Sequence, residues 1–268
     1  DYKPYYFYDV IGAHYENFNG FPCMIITSEY ALVCTADYQK GFLYKGAGHL
    51  RLLQDLYQSY KLLCKPLFHV INYLPMDGSL QQTYRTNPSY ILQPEACITP
   101  LIDDNLLEKA VYPQLPDRDT FIRQSSALLA DNRKLLSSEK LFIYFTLPGL
   151  RQFLSSGRVH EIPEEVYRPL TPSEGKQILA KMIPYCKTGV YRLLKYPLSQ
   201  LTENLHLVAN QTMGYLLFKD IRGQILCLTF NEPSLLEAFL DYMESLDHGY
   251  IYPYEDAARM VQELINES

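Results

Sequence analysis

Apolar and polar positions change their period along this chain in a way that marks strands and helices in turn. Residues 21–27 and 30–35 are apolar runs rich in β-branched side chains, separated only by Ser28-Glu29, which predicts a hairpin. A short third strand is expected over 41–44, and an aromatic strand or arm over 2–8. The spacing then shifts: Leu50, Leu53, Tyr57, Tyr60 and Cys64 recur at three- and four-residue intervals, with Arg51, Gln54, Asp55 and Lys61 between them. That predicts an amphipathic helix over 49–65.

Four prolines in residues 75–100 predict an irregular connection with a short strand at 90–92. Asp103 is suited to cap a short helix through Lys109. A longer helix is expected over 118–136, with Phe121, Leu128, Leu129 and Leu136 inward. Pro113 and Pro116 precede it, so the sequence predicts two α/β lobes, 1–116 and 117–268.

The second half punctuates itself more sharply. A strand is expected over 140–146, then a short helix ending at Gly157. Thr171-Pro172-Ser173-Glu174 carries an N-cap hydroxyl, a proline at the first helical position and an acid at the third, which starts a helix running to about Tyr185. Strands follow at 190–195, 205–209, 214–219 and 224–230, the last two flanking a turn at 220–223. Asn231 or Ser234 is expected to cap a helix whose Leu235, Leu236, Phe239, Leu240, Met243 and Leu246 form one apolar face. A last helix over 254–266 repeats that pattern. The expected fold class is α/β (α+β): two strand-strand-helix lobes with mixed or antiparallel sheets covered by amphipathic helices.

Composition narrows the function classes. Of 268 residues, 47% are hydrophobic and 20% charged, the balance of a globular chain. A net charge of -6 repels phosphate, so the chain is not expected to hold nucleic acid by itself. No apolar run approaches the roughly 20 residues that span a bilayer, and no charged-then-apolar leader opens the chain. No membrane partner is expected. The six cysteines are scattered through apolar runs, which reads as buried thiols in a cytoplasmic protein.

Motifs for catalysis are missing. The glycines form neither a phosphate-cradling loop nor a dinucleotide fingerprint, and Gly46-Ala47-Gly48 is read as a bend into a helix. The histidines stand at no metal-ligand spacing from one another or from cysteine. Catalytic, cofactor and metal residues are therefore expected to be none. One oddity remains, 24 tyrosines with no tryptophan. A tyrosine joins an apolar ring to a polar tip, which suits a half-buried core, a pocket wall or an interface. Tyr144 and Tyr191 fall on central candidate strands, with Arg192 beside them needing either an anionic partner or an edge position open to water. These three are the candidate ligand-binding residues.

The run Phe145-Thr146-Leu147-Pro148-Gly149-Leu150-Arg151-Gln152-Phe153 is followed by Ser156-Gly157-Arg158-Val159-His160-Glu161-Ile162-Pro163 and Tyr167-Arg168-Pro169-Leu170. Together with Tyr191-Arg192-Leu193-Leu194, Asn204-Leu205-His206-Leu207 and residues 231–246, these resemble the long C-terminal sensory or effector regions of helix-turn-helix transcription regulators from anaerobic Gram-positive bacteria, mainly over 140–246. The resemblance implies a sensory module that binds a small-molecule or peptide effector, or self-associates as a homodimer. It implies DNA contact only through an upstream domain, an expectation that fits a chain beginning at Asp1 rather than Met. No family residue roles carry over. Two other classes compete, an enzyme with a non-local active site and an interaction scaffold.

Overall fold

A computed structural model of the chain describes residues 3–8, 23–71, 89–137, 140–159, 162–196, 206–219 and 225–267. The expected turn at 220–223 and most of the proline-containing connection, 75–88, lie outside these residues. The chain divides into two compact units, Asp1–Phe68 and His69–Ser268.

In the first unit the predicted hairpin is β2 (Cys23–Ile26) with β3 (Tyr30–Cys34), and β4 (Gly41–Lys45) extends it to a three-stranded antiparallel sheet. Thr27 closes the turn: its N–H donates to the Tyr30 carbonyl (2.8 Å), while its hydroxyl oxygen accepts from the Tyr30 N–H (2.9 Å). Gly46 then bends the chain into α1 (Ala47–Lys61), which buries Leu50 and half-buries Leu53 and Tyr60. Before the hairpin lies β1 (Tyr5–Tyr6), which pairs with β5 (Lys65–Pro66), and the Lys61 ammonium sits 5.0 Å from the centre of the Tyr5 ring.

The second unit is built on one mixed sheet. Its strands are β6 (His69–Ile71), β7 (Ser89–Leu92), β8 (Leu141–Phe145), β9 (Tyr191–Leu193), β10 (His206–Ala209), β11 (Gly214–Lys219) and β12 (Ile225–Phe230), in spatial order β6-β12-β11-β10-β7-β8-β9. The first five positions pair antiparallel, whereas β7, β8 and β9 run parallel. Parallel neighbours need long crossovers. Here these are α2 (Asp104–Ala110) with α3 (Arg118–Leu136), then α4 (Leu147–Ser156) with α5 (Pro172–Lys187). The helices α6 (Pro233–Ser245) and α7 (Tyr254–Glu267) complete the unit. The fold is α+β.

Four helix starts in the second unit, those of α2, α4, α5 and α6, are fixed by a side chain that satisfies otherwise orphaned N–H groups. Asp103 accepts from Leu106 N–H (2.8 Å), Thr146 from Gly149 N–H (3.1 Å), and Thr171 with Glu174 forms a full capping box. At α6 neither Asn231 nor Ser234 caps. Glu232 does so, accepting from the N–H groups of Ser234 (3.0 Å) and Leu235 (2.6 Å), because Pro233 at the first helical position leaves those two donors facing its longer side chain.

Strand alternation sorts the sheet into two faces. Ile91, Ile143, Tyr191 and Val208 lie on one, packed with Ile178, Leu179 and Met182 of α5 and Val261 of α7 into the main core. Burying each such side chain contributes about 1.5–3 kcal/mol. The opposite face carries Tyr90, Leu92, Phe142, Tyr144 and Arg192, covered in part by α6. β7, from before residue 116, pairs with β8 and β10, from after it. All six cysteines are free, and Cys34, Cys97, Cys186 and Cys227 are buried. No helix among the described residues is long and apolar enough to cross a membrane.

Candidate functional site

Tyr144 lies on β8 inside the sheet, whereas Tyr191 and Arg192 lie on β9 at its edge rather than on a central strand, and alternation sends the two tyrosines to different faces. Tyr144 and Arg192 are cross-strand neighbours, and the Arg192 guanidinium donates to the Tyr144 hydroxyl (2.9 Å), which donates in turn to Asp247 Oδ1 (2.9 Å). Arg192 also pairs with Asp247 Oδ2, donates to the Gly189 carbonyl (2.9 Å) and lies over the Phe142 ring at 4.0 Å. β9 is the edge strand of the sheet, yet Arg192 is buried, because the segment after α6 brings Asp247 over it. Burial pushes the Tyr144 phenol up from its ordinary value, and pushes the neighbouring Tyr90 up to about 12, helped by its hydrogen bond to Glu244. Tyr191 points the other way, into the main core, and its hydroxyl donates to the Cys97 carbonyl (2.7 Å).

That hydroxyl anchors the wall of a cavity of about 280 Å³ in the same unit. The floor is the sheet: Ile91 and Gln93 from β7 and its extension, His206 and Val208 from β10, Tyr215 and Leu217 from β11. One wall is the inner faces of α2 and α3, where Ser125 and Leu129 are one helical turn apart and both buried. The opposite wall is the segment after α4, which contributes Val159, Ile162, Val166, Tyr167 and Leu170. Much of this wall belongs to the stretch on which the family resemblance rests.

The walls are braced from outside. The Arg133 guanidinium donates to the Ile102 carbonyl (2.8 Å), and Lys181 pairs with Asp103 (2.6 Å). The Tyr167 hydroxyl accepts from Val159 N–H (2.8 Å), and Arg158 donates to the Tyr167 carbonyl (2.7 Å). Arg168 grips Glu174 with two bonds of 2.8 and 2.7 Å. This guanidinium, with the Thr171 N–H and hydroxyl, holds the Glu174 carboxyl well down, at about 2.

At the floor, Gln93 is placed by close backbone packing. Its own N–H donates to the Tyr144 carbonyl (3.1 Å), and the next residue's carbonyl, Pro94, accepts from Thr146 N–H (3.0 Å). Gly149 makes this approach possible, since a Cβ there would stand 2.0 Å from the Pro94 oxygen. Gln93 and Ser125 are 1% and 4% exposed, and Gln93 Nε2 and Ser125 Oγ have no hydrogen-bond partner among the described residues. Beside Gln93, His206 Nε2 lies 3.1 Å from Glu95 Oε1, both side chains being buried.

Among the described residues that line the cavity none is an aspartate, glutamate, lysine or arginine. Among the described residues no group of three or more His, Cys, Asp or Glu side chains is placed to hold a metal ion. Sequence reasoning named Phe121, Leu128, Leu129 and Leu136 as the inner face of α3, and the first three line the cavity. It missed Gln93, Ser125 and the His206–Glu95 pair. Ser125 is the one polar residue spaced four residues from both Phe121 and Leu129, a signal readable in hindsight. Gln93 and the pair give no local signal.

No protein-family model matches this sequence. No curated protein matches it either. Among solved structures it is similar to that of TrmBL2, described as an archaeal chromatin protein with a novel mode of DNA binding. The two are 12% identical with a TM-score of 0.32, and the match covers 76% of this chain and 62% of that one. The chain thus spans less than two thirds of that protein's length, and a TM-score this low does not establish a shared fold.

Proposed function

We propose that this chain is a ligand-sensing effector module of a transcription regulator, with its ligand in the cavity between the sheet and α2 and α3. The observation that carries the reading is the pairing of an apolar cavity with two buried polar groups, Gln93 Nε2 and Ser125 Oγ, that no described residue satisfies. Burying a polar atom without a partner costs about 1–3 kcal/mol, so a fold that keeps two of them at one cavity has a use for them. A convergence of a few polar groups in an apolar cavity is the usual form of a small-molecule site. The regulator role rests on the sequence resemblance, whose Val159, Ile162, Tyr167 and Leu170 line a cavity wall, and on the net charge of -6, which leaves DNA contact to another part of the protein.

A ligand that binds the folded state raises its melting temperature by mass action. A thermal-shift screen of neutral and charged metabolites is therefore run in parallel on the wild type and on Ala110→Leu, which fills the cavity from α2. Stabilisation of the wild type alone is the expected result. Ligands that stabilise both proteins equally bind elsewhere, and that outcome overturns the assignment. Salt-sensitive binding of the isolated chain to duplex DNA overturns the regulatory half of the reading.

A further inference from the structure

We infer that the cavity takes a neutral, mainly apolar molecule carrying a carbonyl-type acceptor, of which a primary or secondary carboxamide is the simplest form. This rests on the ligand-binding reading above and deepens it. Three features of the cavity lead there.

Size sets the scale. At the packing density of protein interiors, 280 Å³ takes roughly ten non-hydrogen atoms. A ligand wholly enclosed there is smaller than a nucleotide or a peptide of several residues.

Charge comes next. Among the described residues the lining contains no lysine, arginine, aspartate or glutamate, and the imidazole on the sheet floor, His206, already faces Glu95 at 3.1 Å. A ligand carboxylate would lose its hydration with no cation to replace it, and would sit near the Glu95 carboxylate. A ligand ammonium would find no carboxylate among the described lining residues, and Glu95 behind them already faces His206. Both signs of charge are therefore disfavoured relative to a neutral molecule of the same shape.

Hydrogen bonding supplies the last constraint. Gln93 Nε2 is a donor and nothing else, so it asks for an acceptor; Ser125 Oγ both donates and accepts. An amide answers both, its oxygen accepting from Gln93 and its N–H donating to Ser125, while its hydrocarbon part covers Ile91, Leu129 and Val208. A purely apolar molecule would leave both groups unsatisfied.

The test measures binding of octanamide and cyclohexanecarboxamide to the full chain by calorimetry near neutral pH, against octanoate and cyclohexanecarboxylate as isosteric anions. At least one amide is expected to bind roughly tenfold or more tightly than its anion, and Gln93→Leu to remove roughly tenfold of that affinity without loss of fold by circular dichroism. Ser125→Ala provides a second measurement if Gln93→Leu does not fold. Equal binding of amide and anion, abolished in both by Ala110→Leu, overturns the neutral class while leaving the cavity as a ligand site. An amide affinity untouched by Gln93→Leu and by Ser125→Ala overturns it as well. Failure of all four probes to bind also sinks the inference, and the library screen with Ala110→Leu then decides separately whether the cavity binds anything.

Discussion

Gln93 and Ser125 have opposite effects on the empty and the occupied protein. Among the described residues neither Gln93 Nε2 nor Ser125 Oγ has a partner, so Gln93→Leu and Ser125→Ala are expected to stabilise the ligand-free protein by about 1 kcal/mol each in urea denaturation. Arg192 behaves in the reverse manner. Arg192→Leu strands Asp247 and the Tyr144 hydroxyl and removes the cation over Phe142, and should cost about 3 kcal/mol by the same measurement. A loss below 1 kcal/mol would show that water reaches Asp247 freely. Glu174 gives a pH signature. Its carboxyl is held at about 2 in the folded chain, so its contribution is complete above its ordinary value and vanishes as the pH falls toward 2. Stability of the wild type should therefore drop across that acidic window more steeply than that of Glu174→Gln, as read from urea midpoints at successive pH values. These obligations were poorly legible in the residues themselves. Arg192 called for an anionic partner or an edge position open to water; it stands on an edge strand yet is buried, and its partner Asp247, 55 residues further on, is marked by nothing near it in sequence. Gln93 and Ser125 differ from ordinary polar residues only by where tertiary packing leaves them.

Helix ends are the most local feature of this chain, and they were the most legible. The capping box at Thr171 and Glu174, the Asp103 cap and the glycine stop at Gly157, with φ 64, all stand where the residues placed them. Thr171→Ala should cost about 1 kcal/mol in a chemical denaturation experiment. α6 departs from expectation for a reason of reach: a glutamate is seldom a cap, yet Glu232 is buried and spans two donors. Strands are less local than helices. β7 is buried on both faces over Ser89–Leu92, so it shows no alternation, and β5 and β6 run for two and three residues that owe their strand character to their partners. Gly149 joins two elements. Gly149→Ala drives a methyl group into the Pro94 backbone and should unfold the second unit partially or cost more than about 3 kcal/mol, measurable by urea denaturation and by loss of ligand-induced stabilisation.

Pairing across the chain decides the molecule. The proline-bounded gap at 113–117 suggested a lobe boundary, whereas the compact units divide at Phe68 and His69, and β7 sits in the middle of the sheet between β8 and β10. A fragment of residues 69–268 is expected to unfold cooperatively and to keep the ligand response of the full chain. A fragment of 117–268 lacks β7, α2, Gln93 and much of the cavity lining, and is expected to yield neither, as judged by circular dichroism and thermal shift. The amino-acid order alone determined the α+β class, most helix limits and the absence of familiar catalytic motifs, because those depend on contacts within a few residues. Strand order, the parallel crossovers, the Arg192–Asp247 pair and the cavity were decided by tertiary structure, because each joins residues whose proximity is set by the burial of a whole sheet rather than by any local periodicity.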